Sequence, residues 1–517
     1  MFESLLYGLY SAETMRAIDA DAIEGVGIPG AHLMERAGAA VAEEIIEEYA
    51  PESVVVYAGR GNNGGDGFVV ARELFNAACE VVVYAVEGKR GYKGDAALNL
   101  AMLDRLGVEI REGVGADGDA TVDEVDVVVD AIFGTGFTGA AKGPQAAAIA
   151  AINESPAAIV SIDIASGVEA STGAVHGPAV HADMTIALHA AKIGHFVTPG
   201  GACSGEVVVV PIGIPPICDH RPDLWLLTPE ALAPLVRPKG ALDHKRSVGT
   251  VLVVGGSKGM TGAAHLAAMA ALRGGAGLVH CVLPAGAGDP KPFLEVITVS
   301  VPGGDHLGAG SAAAIKGEMA RLTAVAVGPG AGRAADTQTL LRQLCKENVP
   351  MLIDADGLYA LGGKLPALAK RTAPTVLTPH EGELARLLGR AATEVAAHRL
   401  AAAREAAALS GATVLLKGEA SIVADPSGEA YVIPVGNPGL ATPGTGDVLS
   451  GVITAQLAKG LGATDAACLG GYLHGLAADL AARIATGTEG MIASDLFEFL
   501  PQAVERLKGD EDDEEMQ

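Results

Sequence analysis

Apolar residues along this chain come in short unbroken runs rather than in alternation with polar ones. The runs at 53–58 (SVVVYA), 80–86 (EVVVYAV), 125–131 (VDVVVDA), 158–163 (AIVSID), 184–188 and 206–212 are rich in Val and Ile. Ala-rich stretches of helical character lie between the early ones, at 66–77, 94–106 and 144–153. A strand that is apolar on both faces must be covered on both sides, so this pattern predicts a mostly parallel sheet sandwiched between helices. The alternation breaks at 211–240, where prolines crowd around the single tryptophan, Trp225. Proline is excluded from helix interiors and inner strands. A domain boundary is therefore expected near 216–226, with Trp225 as a core or interdomain anchor. The alternation then restarts, with strands predicted near 249–255, 278–283, 324–328, 350–354, 374–378 and 413–416 and long helices at 392–410, 445–459 and 463–485. The stretch 421–434 (SIVADPSGEAYVIP) reads as a hairpin turning at Pro426–Gly428. The expectation is an α/β fold of two tandem domains, 1–220 and 226–507, followed by an acidic tail at 508–517.

Composition narrows the class. With 49% hydrophobic and 19% charged residues the chain is globular rather than disordered. No apolar run reaches the ~18 residues of a membrane span, and the start MFESLLYGLYS carries no signal-peptide pattern. None of the six cysteines belongs to a C-x-x-C pair, which predicts buried thiols in a reducing cytoplasm. The net charge of −26 argues against nucleic-acid or membrane partners. Small anions stay compatible, because backbone amides bind phosphate inside an acidic protein.

Candidate chemistry gathers at predicted strand ends. After the first strand, GNNGGDG at 61–67 combines glycines, which let backbone approach an anion, with the oxygens of Asn62, Asn63 and Asp66. A second strand end, VVVDAIFGTGFTGAAKGP at 127–144, spells G-x-G-x-x-G at Gly134, Gly136 and Gly139. It does not open a helix at once, so a dinucleotide fingerprint and an oxidoreductase are the weaker reading. A third, IVSIDIASGV at 159–168, offers Asp163 and Ser166 at the same sheet edge. In the second half, TPGTGDVLSG at 442–451 leads Gly444, Thr445 and Gly446 into a helix with Asp447 at its start. Such amides form an anion hole, and the carboxylate is placed to take a proton from an attacking hydroxyl. No Walker A motif exists, since GGSKGMTG at 255–262 has its Lys misplaced; phosphoryl transfer needs mainly positioning and charge neutralisation.

On LMERAG (33–38), GNNGGDG, VDAIFGTGFTG and SIDIASGV, residues 10–215 resemble the NAD(P)H-hydrate epimerases. The resemblance implies a Rossmann-like α/β/α sandwich whose substrate contacts are Asn62, Asn63, Gly64, Gly65, Asp66, Gly134, Thr135, Gly136, Phe137, Thr138, Gly139, Ala140 and Asp163. It implies K⁺ held by Asn63, Asp130 and Ser166. Inverting a carbinolamine carbon needs loss and return of hydroxide, which makes Asp163 the acid/base choice. Lys192, in ALHAAKIGH, reads equally as a second such group or as a surface lysine with its stem on apolar surface.

From 228 to 505 the chain resembles the ribokinase-like superfamily. Within it, TPHEGE (378–383), GPGAG (328–332), LIDADGL (352–358) and LLKGEASIV (415–423) are similar to the ADP- or ATP-dependent NAD(P)H-hydrate dehydratases. The resemblance implies substrate contacts at Ala263, Gly330, His380 and Asp447. It implies nucleotide contacts at Lys417, Gly418, Glu419, Ala420, Ser421 and Gly446, with Mg²⁺ on the nucleotide. Together the two halves imply a bifunctional repair enzyme with ADP as co-substrate, cytoplasmic, and a homo-oligomer of four or more chains. The rivals are a thiazole- or pyrimidine-alcohol kinase on the second fold and a non-catalytic nucleotide-binding role for the first domain.

Overall fold

The Val-rich runs of the first half become strands of one seven-stranded sheet, its inner strands buried, in the computed structural model, which describes residues 5–113, 125–288 and 293–509. In chain order these are β1 (Ser53–Ala58), β2 (Glu80–Ala85), β3 (Glu109–Glu112), β4 (Val127–Ala131), β5 (Ala158–Ile162), β6 (Met184–Leu188) and β7 (Glu206–Val210). All pair in parallel, in the order 3-2-1-4-5-6-7. The order reverses between β1 and β4, where a doubly wound sheet opens a crevice beyond the carboxyl ends of its strands. Along β1, Val54, Val56 and Ala58 join one apolar layer while Val55 and Tyr57 join the other. Successive side chains point to opposite faces, so two covered faces require an unbroken apolar run.

Two features depart from the sequence reading. GNNGGDG is not a loop: from Asn62 onward it is the first turn of the helix Asn62–Asn76. Its glycines serve close packing, since a β-carbon on Gly64 would fall 1.8 Å from the Gly59 carbonyl oxygen and one on Gly65 2.8 Å from the Met34 sulfur. Polar β3 (EIRE) has no apolar run to reveal it and forms the sheet margin.

The division between the two compact units falls at Leu224–Trp225, and residues up to Tyr7 group with the second unit. The second unit's strands are β8 (Leu224–Leu226), β9 (Thr250–Val254), β10 (Leu278–Pro284), β11 (Ile297–Val301), β12 (Ala324–Val327), β13 (Met351–Ile353), β14 (Thr375–Leu377), β15 (Thr413–Leu416), β16 (Ser421–Ala424) and β17 (Ala430–Ile433). They run in the order 8-17-16-15-14-13-12-9-10-11, and β16–β17 is the expected hairpin. β8 arises inside the proline-rich run: Trp225 pairs with Tyr431, lies 8% exposed, and donates its indole N–H to Glu429 at 3.1 Å. The expected helix at 392–410 is two, Ala392–Ala397 and Arg399–Ser410, because His398 leaves helical geometry at φ −135°. Thr261–Arg273 and Thr445–Ala458 pack closely enough that a β-carbon on Gly451 would fall 2.1 Å from the Ala267 carbonyl oxygen.

All six cysteines are buried. No helix among the described residues is long and apolar enough to cross a membrane. Of the acidic tail at 508–517, residues 510–517 lie outside the described residues.

Candidate functional site

A cavity of about 850 Å³ opens beyond the carboxyl ends of β1, β4 and β5. Asn62, Asn63, Asp66, Gly134, Thr135, Gly136, Phe137, Thr138 and Asp163 line it, joined by Arg16 and Asp19 of the helix Ala12–Ala20. Of the expected substrate contacts, Gly64, Gly65, Gly139 and Ala140 do not line it. Gly64 and Gly65 are consumed by packing, and the Gly139 amide donates to Glu169 at 2.9 Å.

Asp163 directly follows β5, in the left-handed region at φ +68°. Its Oδ1 accepts from the fully buried Lys192 ammonium, and its Oδ2 from both the amide and the hydroxyl of Thr135. Burial pushes the Asp163 carboxyl up, but the Lys192 charge and these hydrogen bonds outweigh it and hold it below the usual carboxylate range. Lys192 is thus no surface lysine. It is 0% exposed and also donates to the Leu188 carbonyl at 2.8 Å. Asp66 has the reverse balance: burial and the neighbouring Asp163 and Asp19 push it well up.

Of the three expected K⁺ ligands, Asp130 and Ser166 touch directly, and Asn63 shares the Phe133 carbonyl with Ser166. Ser166 donates its hydroxyl (2.6 Å) and amide (2.8 Å) to Asp130, which further accepts from the Ser161 hydroxyl and the Ile132 amide. Four donors occupy the four lone-pair directions of that buried carboxylate. Asn63 donates to the carbonyls of Phe133 (2.8 Å) and Ile162 (3.3 Å), while its Oδ1 is buried without a hydrogen-bond partner among the described residues. A buried acceptor left open is costly unless something fills it.

The second unit converges on the carboxyl ends of β12 to β15. Gly444 (φ +95°) caps the helix Thr445–Ala458, so Thr445, Gly446 and Asp447 form its first turn, whose amides have no acceptor within the helix. A β-carbon on Gly446 would lie 3.4 Å from the Lys417 ammonium. Lys417 contacts Asp354 Oδ1 at 2.9 Å and Glu383 at 4.0 Å, and the Ser450 hydroxyl donates to Asp354 Oδ2 at 2.6 Å. Asp447 is pushed up to about 7, chiefly by burial, then by the Asp354 charge, against the lowering by Lys417.

Ala263 and Gly330 sit together: a β-carbon on Gly330 would lie 3.0 Å from that of Ala263. His380 is exposed and caps the helix Glu381–Leu388, its Nδ1 accepting the Gly382 amide while Glu383 accepts the His380 amide. Of the Lys417–Ser421 run, Lys417 is tied into this cluster; Ser421 donates to the Gly418 carbonyl, and Glu419 offers its carbonyl to Arg399. Asp354, Glu383 and Ser450 were not singled out as site residues from sequence. Only the chain's folding gathers them, although each lies in a motif already quoted, LIDADGL, TPHEGE and TPGTGDVLSG.

Two family models match the chain. Residues 30–194 match that of the YjeF-related protein N-terminus, and 251–502 that of NAD(P)H-hydrate dehydratase. The bifunctional NAD(P)H-hydrate repair enzyme Nnr of Moorella thermoacetica is 40% identical over 516 residues, 97% of each chain. That of Escherichia coli K12 is 33% identical over 511 residues, 97% of this chain and 95% of its own. Among solved structures, an ADP/ATP-dependent NAD(P)H-hydrate dehydratase from Bacillus subtilis, co-crystallised with ATP and Mg²⁺, is 29% identical at a TM-score of 0.48, covering 55% of this chain and 98% of that one. The similarity of relatives along nearly their whole length spans both units, and this chain belongs to the family of bifunctional NAD(P)H-hydrate repair enzymes.

Proposed function

We propose that the chain restores hydrated NAD(P)H: the first unit interconverts the two C6 epimers, and the second dehydrates the S form with ADP, giving NAD(P)H, AMP and phosphate. The observation that carries this is the pairing on one chain of two sites with different chemistry. One is a cavity lined by an ionised carboxylate that a buried lysine holds; the other is an amide hole beside a carboxylate poised near neutrality.

In the first site the N1 lone pair of the tetrahydropyridine ring expels hydroxide from C6, and water returns to either face of the iminium carbon. Asp163, kept ionised by Lys192, takes the proton of the adding water and returns it to the departing hydroxide in the reverse direction. The cavity walls would hold the ring in one orientation against Asp163. The buried, open Oδ1 of Asn63 supports a monovalent cation there, with the Ser166 hydroxyl and the Phe133 carbonyl as its other oxygens. Asp130, already using all its acceptor positions, would orient Ser166 and supply charge. K⁺ would contribute a fixed positive charge near the substrate's oxygens.

In the second site Asp447 removes the proton of the C6 hydroxyl, whose oxygen attacks the terminal phosphorus of ADP as the bond to AMP breaks. The first-turn amides and Lys417 neutralise the transferring group. Phosphate then leaves from C6, a proton leaves C5, and the conjugated ring returns. Among the described residues no group of acidic, His and Cys side chains forms a preformed metal site. Mg²⁺ would arrive on the nucleotide phosphates and help neutralise their charge. The family resemblance also supports a cytoplasmic homo-oligomer, which sedimentation would read.

The test mixes the purified chain with both epimers of hydrated NADH, K⁺, Mg²⁺ and either ADP or ATP, following the return of reduced-nicotinamide absorbance. Full recovery of the pool is expected with ADP. A fast phase stalling at one epimer overturns the role of the first unit. No recovery with either nucleotide overturns both and favours the alcohol kinase.

A further inference from the structure

Taking the first unit as the epimerase, we infer that His195 is the positioning residue of its acid/base pair. Its imidazole joins the backbones of the two residues whose side chains form that pair. The Nε2 atom lies 2.8 Å from the Asp163 carbonyl oxygen, and Nδ1 lies 3.1 Å from the Lys192 amide, which donates to it. Because Nδ1 accepts, the ring proton sits on Nε2 and the imidazole is neutral. His195 is 2% exposed and does not line the cavity, so it meets substrate only through Asp163 and Lys192. Burial, with the Lys192 ammonium nearby, lowers it to about 4, which keeps the ring neutral across the working range.

The bond matters because of where Asp163 stands. At φ +68° its backbone occupies a region that side-chain-bearing residues visit uncommonly, so its neighbours help to hold it there. Its amide is fixed by the Ile186 carbonyl at 2.8 Å, and its carbonyl by His195. Both peptide groups flanking Asp163 are thereby pinned, and the side chain projects toward Thr135, Lys192 and the cavity. Loss of the ring leaves the Asp163 carbonyl and the Lys192 amide without these partners and frees the peptide to relax, turning the carboxylate from its place. A displacement of that kind lowers turnover more than binding, because the substrate's distant groups still find their contacts.

The experiment measures epimerisation and dehydration on the same full-length preparations of wild type, His195→Leu, His195→Gln and His195→Asn. Gln keeps an amide donor for the Asp163 carbonyl and Asn an acceptor for the Lys192 amide. In His195→Leu the epimerisation kcat is expected to fall about 100-fold with KM nearly unchanged, while dehydration of the S epimer stays at the wild-type rate. His195→Gln should recover on the order of tenfold of that loss. If the Leu variant does not fold, a kcat-only loss in His195→Gln and His195→Asn carries the inference. Wild-type kcat in the variants, a rise in KM alone, or a parallel loss of both activities overturns it. A wild-type chain without epimerisation overturns the proposed function of the first unit instead.

Discussion

Asp447 and Asp163 are the same residue type given opposite acidities by their neighbours. Burial and Asp354 push Asp447 up to about 7, so the base that must be ionised is protonated below that pH. Dehydration kcat/KM should therefore rise about tenfold per pH unit up to roughly pH 7 and then level off. Asp447→Asn should abolish both the activity and that limb, as stopped-flow assays from pH 5 to pH 9 would show. Asp163 is held below the ordinary carboxylate range by Lys192, so it is ionised throughout the same interval. Epimerisation should show no titration of that carboxylate near neutrality, and Asp163→Asn should lower its kcat about 10²- to 10⁴-fold while leaving dehydration intact. The two activities on one chain then serve as controls for each other.

At the scale of elements, the junction between β1 and the helix Asn62–Asn76 decides whether the first site forms. Ala at position 64 is the better helix former, by about 1 kcal/mol, yet its β-carbon would fall 1.8 Å from the Gly59 carbonyl oxygen. Backbone must move to accept it, and overpacking of this kind costs about 1–3 kcal/mol. Gly64→Ala should lower the melting temperature and remove epimerisation while dehydration persists. The same junction shows what the sequence could and could not reveal. The unbroken Val runs made the buried strands legible, because two covered faces demand them. The helix start was not, because glycines placed for packing look like glycines placed for a loop. Polar β3 and three-residue β8 stayed hidden for want of an apolar pattern. Asp163 and Asp447 were legible as carboxylates at strand and helix ends. Lys192 was ambiguous, because nothing local distinguishes a lysine beside a buried carboxylate from one on the surface. Asp354, Glu383 and Ser450 become neighbours only through tertiary folding.

Over the whole molecule, each unit holds a buried neutral histidine bonded to a backbone carbonyl of its own site: His195 to Asp163, and His474 to Thr445 at 2.9 Å. Both are lowered to about 4, first by burial. An unfolded histidine titrates near 6.5, so between about 6.5 and 4 the unfolded chain binds more protons than the folded one. Stability is therefore complete above that window and lost as pH falls through it, by roughly 3 kcal/mol for each group. Melting curves taken stepwise from pH 7 to pH 4 should shift downward, and His474→Gln should flatten the shift of the second unit. Burial of all six thiols has a practical consequence of another kind. The Cys345 thiol is pushed up to about 12 by burial, and unreactive thiols are what a buried, apolar setting produces. Native protein should give no fast reaction with an aromatic disulfide reagent, and denatured protein six equivalents. A single cysteine engineered onto the surface would then be the one nucleophile a maleimide dye finds, so either unit can be labelled for distance or fluorescence measurements with its natural cysteines left in place.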